Sequence, residues 1–378
     1  MNYKVRIFQP LVPHYRVGLF KGLGERLPGR IEIYAPSDKG SYYKSVPVEG
    51  VLCDYTHPER KIGPFYSMKN ATLDGLRRGD VVVIEGNIRK LSFLWIARQA
   101  KSKGIGVVWW GLHRMPDQNR ITELLRVWAM KKLATTILFY NKNGLDWYKS
   151  KGEDCSHAFA VGNAIDLTPI NKELMYWTPD RLNLFQSEQG ISNNRIILVC
   201  SRLSDKVRLH EAIEAMSLEG VPKDIMLVVI GDGPLLGDLR KRAFELGVSS
   251  RIKWLGAMYD EHQMAPWFLS AKLFVYPGPV GLGVLHALAY GLPSVLNDTH
   301  NSTEAEAFEN GKCGRMFKES DVVDLSRTIL ELLGDEVAMK EMGRYAMARI
   351  NKYYTMEAMV DNYYKALEDA ARQVTVNH

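Results

Sequence analysis

Cysteine is scarce in this chain: Cys53, Cys155, Cys200 and Cys313 are the four, far apart and with no C-x-x-C pair. Such spacing offers neither a zinc site nor a disulfide framework, and it fits a reducing compartment. Long apolar runs are missing as well. Runs such as VVVI at 81–84 and IILVC at 196–200 are strand-sized and far short of the roughly 20 residues a membrane span needs. The start, MNYKVRIFQPLVPHY, has no apolar segment of the secretory kind, so a cytoplasmic location is expected. No low-complexity tract occurs, no D-x-D pair stands in a suitable loop, and no G-x-G-x-x-G opens the first helix. A Rossmann dinucleotide site is therefore disfavoured, and neither a metal nor a cofactor is expected. Nucleic acid is not an expected partner.

What is present is an ordinary globular composition: 378 residues, 46% hydrophobic and 24% charged. That length exceeds what a single core usually supports, so two domains are expected. The net charge of +6 is unevenly spread. Residues 1–170 carry 26 Lys and Arg against 15 Asp and Glu, or +11, and the remainder carries 23 against 28, or −5. The basic half invites an anionic partner, such as lipid head groups or a phosphate-bearing acceptor. A solvated surface with uneven charge would read the same way.

Strand-like runs alternate with helix-period stretches: YKVRIF, RIEIYA, VVVIEG, IGVVWW, TILFY and HAFAV, then RIILVC, IMLVVIG, RIKWLG, KLFVYP and PSVLND. This alternation implies βα units and parallel sheets. A stretch at 167–195 mixes Pro, Asn and polar residues without a steady period and reads as the junction between two doubly wound domains. Ile121, Leu124, Leu125, Trp128, Ala129 and Leu133 share one helical face. The stripe reads more simply as core, although Arg126, Lys131 and Lys132 beside it also suit a membrane surface.

In doubly wound sheets ligands sit beyond the carboxyl ends of the strands. Three loops fall there in the second half: SRLSDKVR (201–208), with Arg202, Lys206 and Arg208; GDGP (231–234), with Gly231 and Gly233; and GPVGLG (278–283). Gly281 and Gly283 strip side chains from a helix start, where unpaired amides and the helix dipole favour an anion such as phosphate. An ordinary loop-to-helix junction would use the same residues.

The order of SRL after a strand, IGDGPLLGDLRKRAFELGVSSRIKWLG, LFVYPGPVGLGVLHALAYGLPSV and YYTMEAMVDNYYKALE resembles glycosyltransferase family 4, with support from VPHYRVGLF, IEGN, VVWWGLH and AVGNAID in the first half. The resemblance implies an α/β GT-B fold with two Rossmann-like domains facing a cleft. Residues 1–170 would bind the acceptor, with 360–378 crossing back onto them, and 171–359 would bind the nucleotide-sugar donor. It further implies retaining, metal-independent transfer of a hexose-type sugar from a UDP- or GDP-sugar to a surface-glycan or other glycoconjugate. The implied partners are the nucleotide sugar and a glycan or lipid-linked acceptor; the basic first half adds an anionic membrane surface as an expected partner, with the protein peripheral at the inner face of the plasma membrane. The alternatives are a transferase for a small metabolite and a non-catalytic nucleotide-sugar-binding subunit.

Two departures stand out. The family's Glu-x7-Glu pair falls on Gly278 and His286, a subgroup with a PGxVGL loop, and the Lys of its Arg-Leu-x3-Lys pattern falls on Val207, between Lys206 and Arg208. By resemblance, Gly278, Val280, Gly281, Leu282, Gly283 and Arg202 hold the diphosphate with Lys206 or Arg208, and His286 offers a ring nitrogen to the ribose. Gly231 and Gly233 complete the donor loops, and Glu304 and Glu306 stand in for the missing acids. His113, Arg202 and Lys206 are the candidate catalytic residues. His14, Tyr15, Arg16, Glu85 and Asn87 are the candidate acceptor contacts. For the histidines and acids, a locally bonded structural role is the competing reading.

Overall fold

The computed structural model describes residues 2–37, 44–113, 119–299 and 302–376. The chain divides into two compact units, Met1–Asn163 with Met356–His378, and Ala164–Thr355.

The first unit is built on a parallel sheet of β1 (Val5–Phe8), β2 (Ile31–Tyr34), β3 (Leu52–Asp54), β6 (Val81–Glu85), β7 (Gly106–Gly111), β8 (Thr136–Phe139) and β9 (Ala158–Ala160), in the order β3-β2-β1-β6-β7-β8-β9. An antiparallel hairpin, β4 (Glu59–Ile62) and β5 (Phe65–Met68), stands apart from it. Strands β1, β6 and β7 are buried along their length apart from Glu85. Such two-sided burial accounts for unbroken runs such as VVVI in place of alternation. Helices α1 (Val17–Arg26), α2 (Leu91–Ser102), α3 (Arg120–Leu133) and α4 (Lys142–Ser150) join the strands.

The C-terminal helix, Met356–Val376, belongs to this unit and packs on α1, β7, β8 and β9. Its Tyr363 meets the edge of Trp110 with ring centroids 4.9 Å apart, and Thr136 donates to its Asp369 at 2.6 Å. Gly106 lets it come close, since a Cβ there would lie 2.7 Å from the Ala370 carbonyl.

The stripe on α3 is divided: Ala129 is buried and Leu133 packs on the core, but its other four members face outward. Ile121, Leu124, Leu125 and Trp128 are 69%, 64%, 51% and 57% exposed. Arg126 is buried along with Ala129 and Met130, and it donates to the Leu112 carbonyl at 2.9 Å. Burial draws its guanidinium down to about 10, with Arg89 adding to the effect.

The second unit carries β10 (Arg195–Cys200), β11 (Ile225–Ile230), β12 (Ile252–Gly256), β13 (Ala271–Tyr276), β14 (Ser294–Asn297) and β15 (Gly314–Phe317), all parallel, in the order β12-β11-β10-β13-β14-β15. Its helices are α5 (Leu167–Tyr176), α6 (Pro179–Glu188), α7 (Leu209–Ser217), α8 (Leu236–Glu245), α9 (Glu261–Ser270), α10 (Leu282–Ala289), α11 (Val322–Leu333) and α12 (Glu336–Tyr353). One continuous apolar core surrounds the sheet.

The stretch at 167–195, read as irregular, holds α5 and α6. Asp166 caps α5 by accepting from Thr168 N. Thr178 caps α6 with Pro179 at its first position, where a proline starts a helix instead of breaking it. The units meet in sequence between Asn163 and Ala164, so the expected boundary at 170 falls inside α5.

Candidate functional site

The strand order of the second sheet reverses between β10 and β13, and in such sheets that crevice, beyond the carboxyl ends, is where ligands bind. The loops after β10, β11 and β13 gather there by backbone contact. Ser201 N donates to Ile230 O at 2.9 Å, Leu203 N to Asp232 O at 2.9 Å and Gly278 N to Val207 O at 3.0 Å.

This closeness explains most of the glycines. A Cβ on Gly231 would lie 1.8 Å from Ser201 O, on Gly233 2.2 Å from Leu203 O, on Gly278 1.8 Å from Lys206 O and on Gly283 2.8 Å from Cys200 O. No side chain fits at 278, so the 201–208 loop itself excludes an acid from that position. Gly281 differs: a Cβ there would meet nothing within 4 Å. It is the N-cap of α10 with extended backbone (φ −119°, ψ −159°), and among the described residues no side chain caps the helix. The side-chain position at the start of α10 is thus open, and the amides of Leu282 and Gly283 in its first turn have no intrahelical partner. Val280 is buried, and Leu282 and Gly283 form the first turn.

The cations around this start have different partners. Arg202 and Lys206 are exposed on the loop after β10. Arg208, held at φ +52°, donates to Ser320 Oγ at 2.8 Å and pairs with Glu319 and Glu211. Its guanidinium ties two segments of the unit together. Burial pushes the Glu211 carboxyl up, with Arg208 opposing.

His286 is engaged within the protein. Its Nε2 lies 2.9 Å from Glu261 Oε1, and Tyr290 Oη donates to the same oxygen at 2.5 Å. The ring sits against Phe268, centroids 4.9 Å apart. Burial alone would raise the Glu261 carboxyl, but the bonds from His286 and Tyr290 outweigh it and hold the group below its ordinary value. Burial and Glu261 push Tyr290 far above the phenol range. Burial, with Glu261 adding, also pushes the Cys200 thiol at the end of β10 up to about 12. A carboxylate therefore stands beside position 286 after all, supplied from the first residue of α9. The acidic pair in YDEH, capped by Asp260 accepting from His262 N at 3.0 Å, was the signal available for it. Positions 278 and 286 carry no trace of it.

Glu304 and Glu306 lie on a short 3-10 turn, Glu304–Ala307. Glu304 acts electrostatically on Tyr276 at the end of β13, whereas Glu306 acts on Tyr354, and its carbonyl accepts from Arg349 at 3.0 Å. Among the described residues, no group of three or more His, Cys, Asp or Glu is placed to hold a metal ion.

In the first unit, His14 and Tyr15 are exposed on the turn after β1. Arg16 is committed to its surroundings: it donates to Gln9 Oε1 at 2.6 Å and Tyr140 Oη at 2.8 Å and lies 4.4 Å over the Trp110 ring. Glu85 ends β6 and pairs with Lys90 at 3.3 Å. Asn87 accepts from Arg89 N at 3.0 Å in a local turn. His113 follows β7, its ring 5.9 Å from Trp147; residues 114–118 after it lie outside the described residues.

Residues 180–349 match the family model described as glycosyl transferases group 1. They span α6 to α12 and include the whole switch-point loop cluster. These residues are a glycosyl transferases group 1 domain. Among curated proteins, the chain is 31% identical over 167 residues to the GDP-mannose-dependent alpha-(1-6)-phosphatidylinositol dimannoside mannosyltransferase of Mycobacterium tuberculosis, covering 43% of this chain and 42% of that one. It is 24% identical to the N-acetyl-alpha-D-glucosaminyl L-malate synthase of Bacillus anthracis, over 53% of this chain and 52% of the other. The chain thus spans about half the length of these curated relatives. The structure of HepE from Anabaena, solved with UDP, superposes with a TM-score of 0.71 at 16% identity, covering 97% of this chain and 99% of that one. The fold around the group 1 domain is GT-B, with two Rossmann-like units.

Proposed function

We propose that this protein is a retaining glycosyltransferase of family 4 type, moving a hexose-type sugar from a UDP- or GDP-sugar to a glycoconjugate acceptor. One observation carries the reading: the open amide start of α10 at Gly281, set at the sheet's switch point beside the exposed Arg202 and Lys206. A diphosphate is the anion such a place suits. The GDP-mannose dependence in one relative's name and the UDP bound to HepE support a nucleotide-sugar donor with either base.

The chemistry follows from the leaving group. The acceptor hydroxyl attacks the anomeric carbon on the face from which the nucleoside diphosphate departs. The new C–O bond forms as the old one breaks, and the proton passes to a phosphate oxygen. Arg202, Lys206 and the α10 amides meet the charge that grows on the diphosphate, so the transfer needs no metal. His286 acts through Glu261, whose free oxygen is the acceptor for a ribose hydroxyl. Release of UDP or GDP from a panel of sugar nucleotides by the purified chain, with and without EDTA, tests the reading. Slow release from one donor, unchanged by EDTA, is expected. No release from any donor overturns the transferase; loss in EDTA with recovery on Mn²⁺ or Mg²⁺ overturns the metal-free mechanism.

A further inference from the structure

The outward side of the first unit carries an apolar surface that its core does not use. On α3, exposed Ile121, Leu124, Leu125 and Trp128 recur at helical spacing, with Arg120 before them and Lys131 and Lys132 after. On α2, which packs against α3, exposed Leu91 and Trp95 are followed by Arg98 and Lys101 on the outside. The tip of the β4–β5 hairpin, whose second strand packs on α2, adds exposed Ile62 and Phe65 next to Arg60 and Lys61.

Acidic residues are nearly absent from these elements. There is none on α2, and the single one on α3, Glu123, turns to Trp147 and Lys151 of the α4 region. The one on the hairpin, Glu59, is paired with buried Lys90. Large apolar side chains gathered in one region of a surface mark an interaction site rather than scattered exposure. Tryptophans with a rim of Lys and Arg fit the boundary between lipid head groups and acyl chains, where the indole is half wet and the cations meet phosphate.

We propose that α2, α3 and the β4–β5 hairpin form a docking face for an anionic bilayer surface, with the apolar side chains entering the head-group region and the cations on its lipid phosphates. Charge complementarity selects the bilayer over a second copy of the chain, because two such faces would bring like charges together.

The test is co-sedimentation of the full chain with vesicles of phosphatidylcholine alone or mixed with phosphatidylglycerol. Binding to the mixed vesicles is expected at about 0.1 M salt and release at about 1 M, where the screening length falls from about 10 Å to about 3 Å. Lys131→Ala with Lys132→Ala should weaken binding by about fivefold for each charge removed. Trp95→Ala with Trp128→Ala should weaken it at low and high salt alike. All four side chains are exposed and, among the described residues, only Lys131 gives up an ion pair, that with Glu153 at 2.8 Å, worth at most about 1 kcal/mol at a surface. Melting temperatures should therefore stay within a few degrees of wild type, and gel filtration should give the same mass for every variant. Equal binding to neutral and anionic vesicles, wild-type binding by both variants, or a wild-type dimer that Trp95→Ala with Trp128→Ala turns into monomer would each overturn the proposal.

Discussion

At the scale of single residues, the group formed by Glu261, His286 and Tyr290 decides how position 286 works. His286→Ala leaves a half-buried carboxylate with one of its bonds gone, and a loss of about 1–3 kcal/mol of stability is expected in urea melts. His286→Glu brings a second carboxylate to the place now 2.9 Å from Glu261 and should destabilise more than the alanine. That outcome reverses what the resemblance suggests, in which Glu is the usual residue there. The pH dependence has a definite sign. The Glu261 carboxyl is held below 4.5 in the folded chain, so its contribution is fully present above that value and lost as pH falls through the folded one. The stability gap between wild type and Glu261→Gln should be constant from pH 7 down to about 5 and close below pH 4; a gap that widens on acidification would show the sign to be wrong. Sequence placed His286 on the helix correctly but could not show its partner, because Glu261 comes from another helix 25 positions earlier.

At the scale of elements, the loop cluster separates glycines that hold the fold from the one open to a ligand. Gly233→Ala sets a methyl 2.2 Å from a backbone oxygen, which a neighbouring loop cannot yield cheaply, so a fall in melting temperature of several degrees is expected. Gly281→Ala has open space and costs the helix start at most about 1 kcal/mol, yet it sets a methyl beside the amides and should weaken nucleoside diphosphate binding. Thermal melts paired with titrations check both, and equal melting temperatures for the two variants would refute the distinction.

The Gly and Pro punctuation made these loops legible from sequence. The reason for each glycine was not, since it depends on which loops touch. The strand runs from YKVRIF to PSVLND were legible because buried parallel strands are continuously apolar. β3, the hairpin and β15 were missed: LCD, ERKI and GRMF are short and mixed in polarity. On α3 the core reading holds for Ala129 and Leu133 and fails for Ile121, Leu124, Leu125 and Trp128. Periodicity gives a stripe, but not whether the stripe or buried Arg126 points inward.

At the scale of the whole molecule, the proposed transfer requires a nucleoside diphosphate to bind the second unit through charge and open amides. Arg202 is the cation that the motif order and the strand topology both set at the switch point. Calorimetric titration of UDP and of GDP into the full chain and into Arg202→Ala measures this directly. One of the two nucleotides should bind the wild type, and the variant should bind it roughly tenfold to a hundredfold more weakly, the loss of a charge-assisted bond. Absence of binding by either nucleotide, or equal affinity in the wild type and Arg202→Ala, would contradict the account.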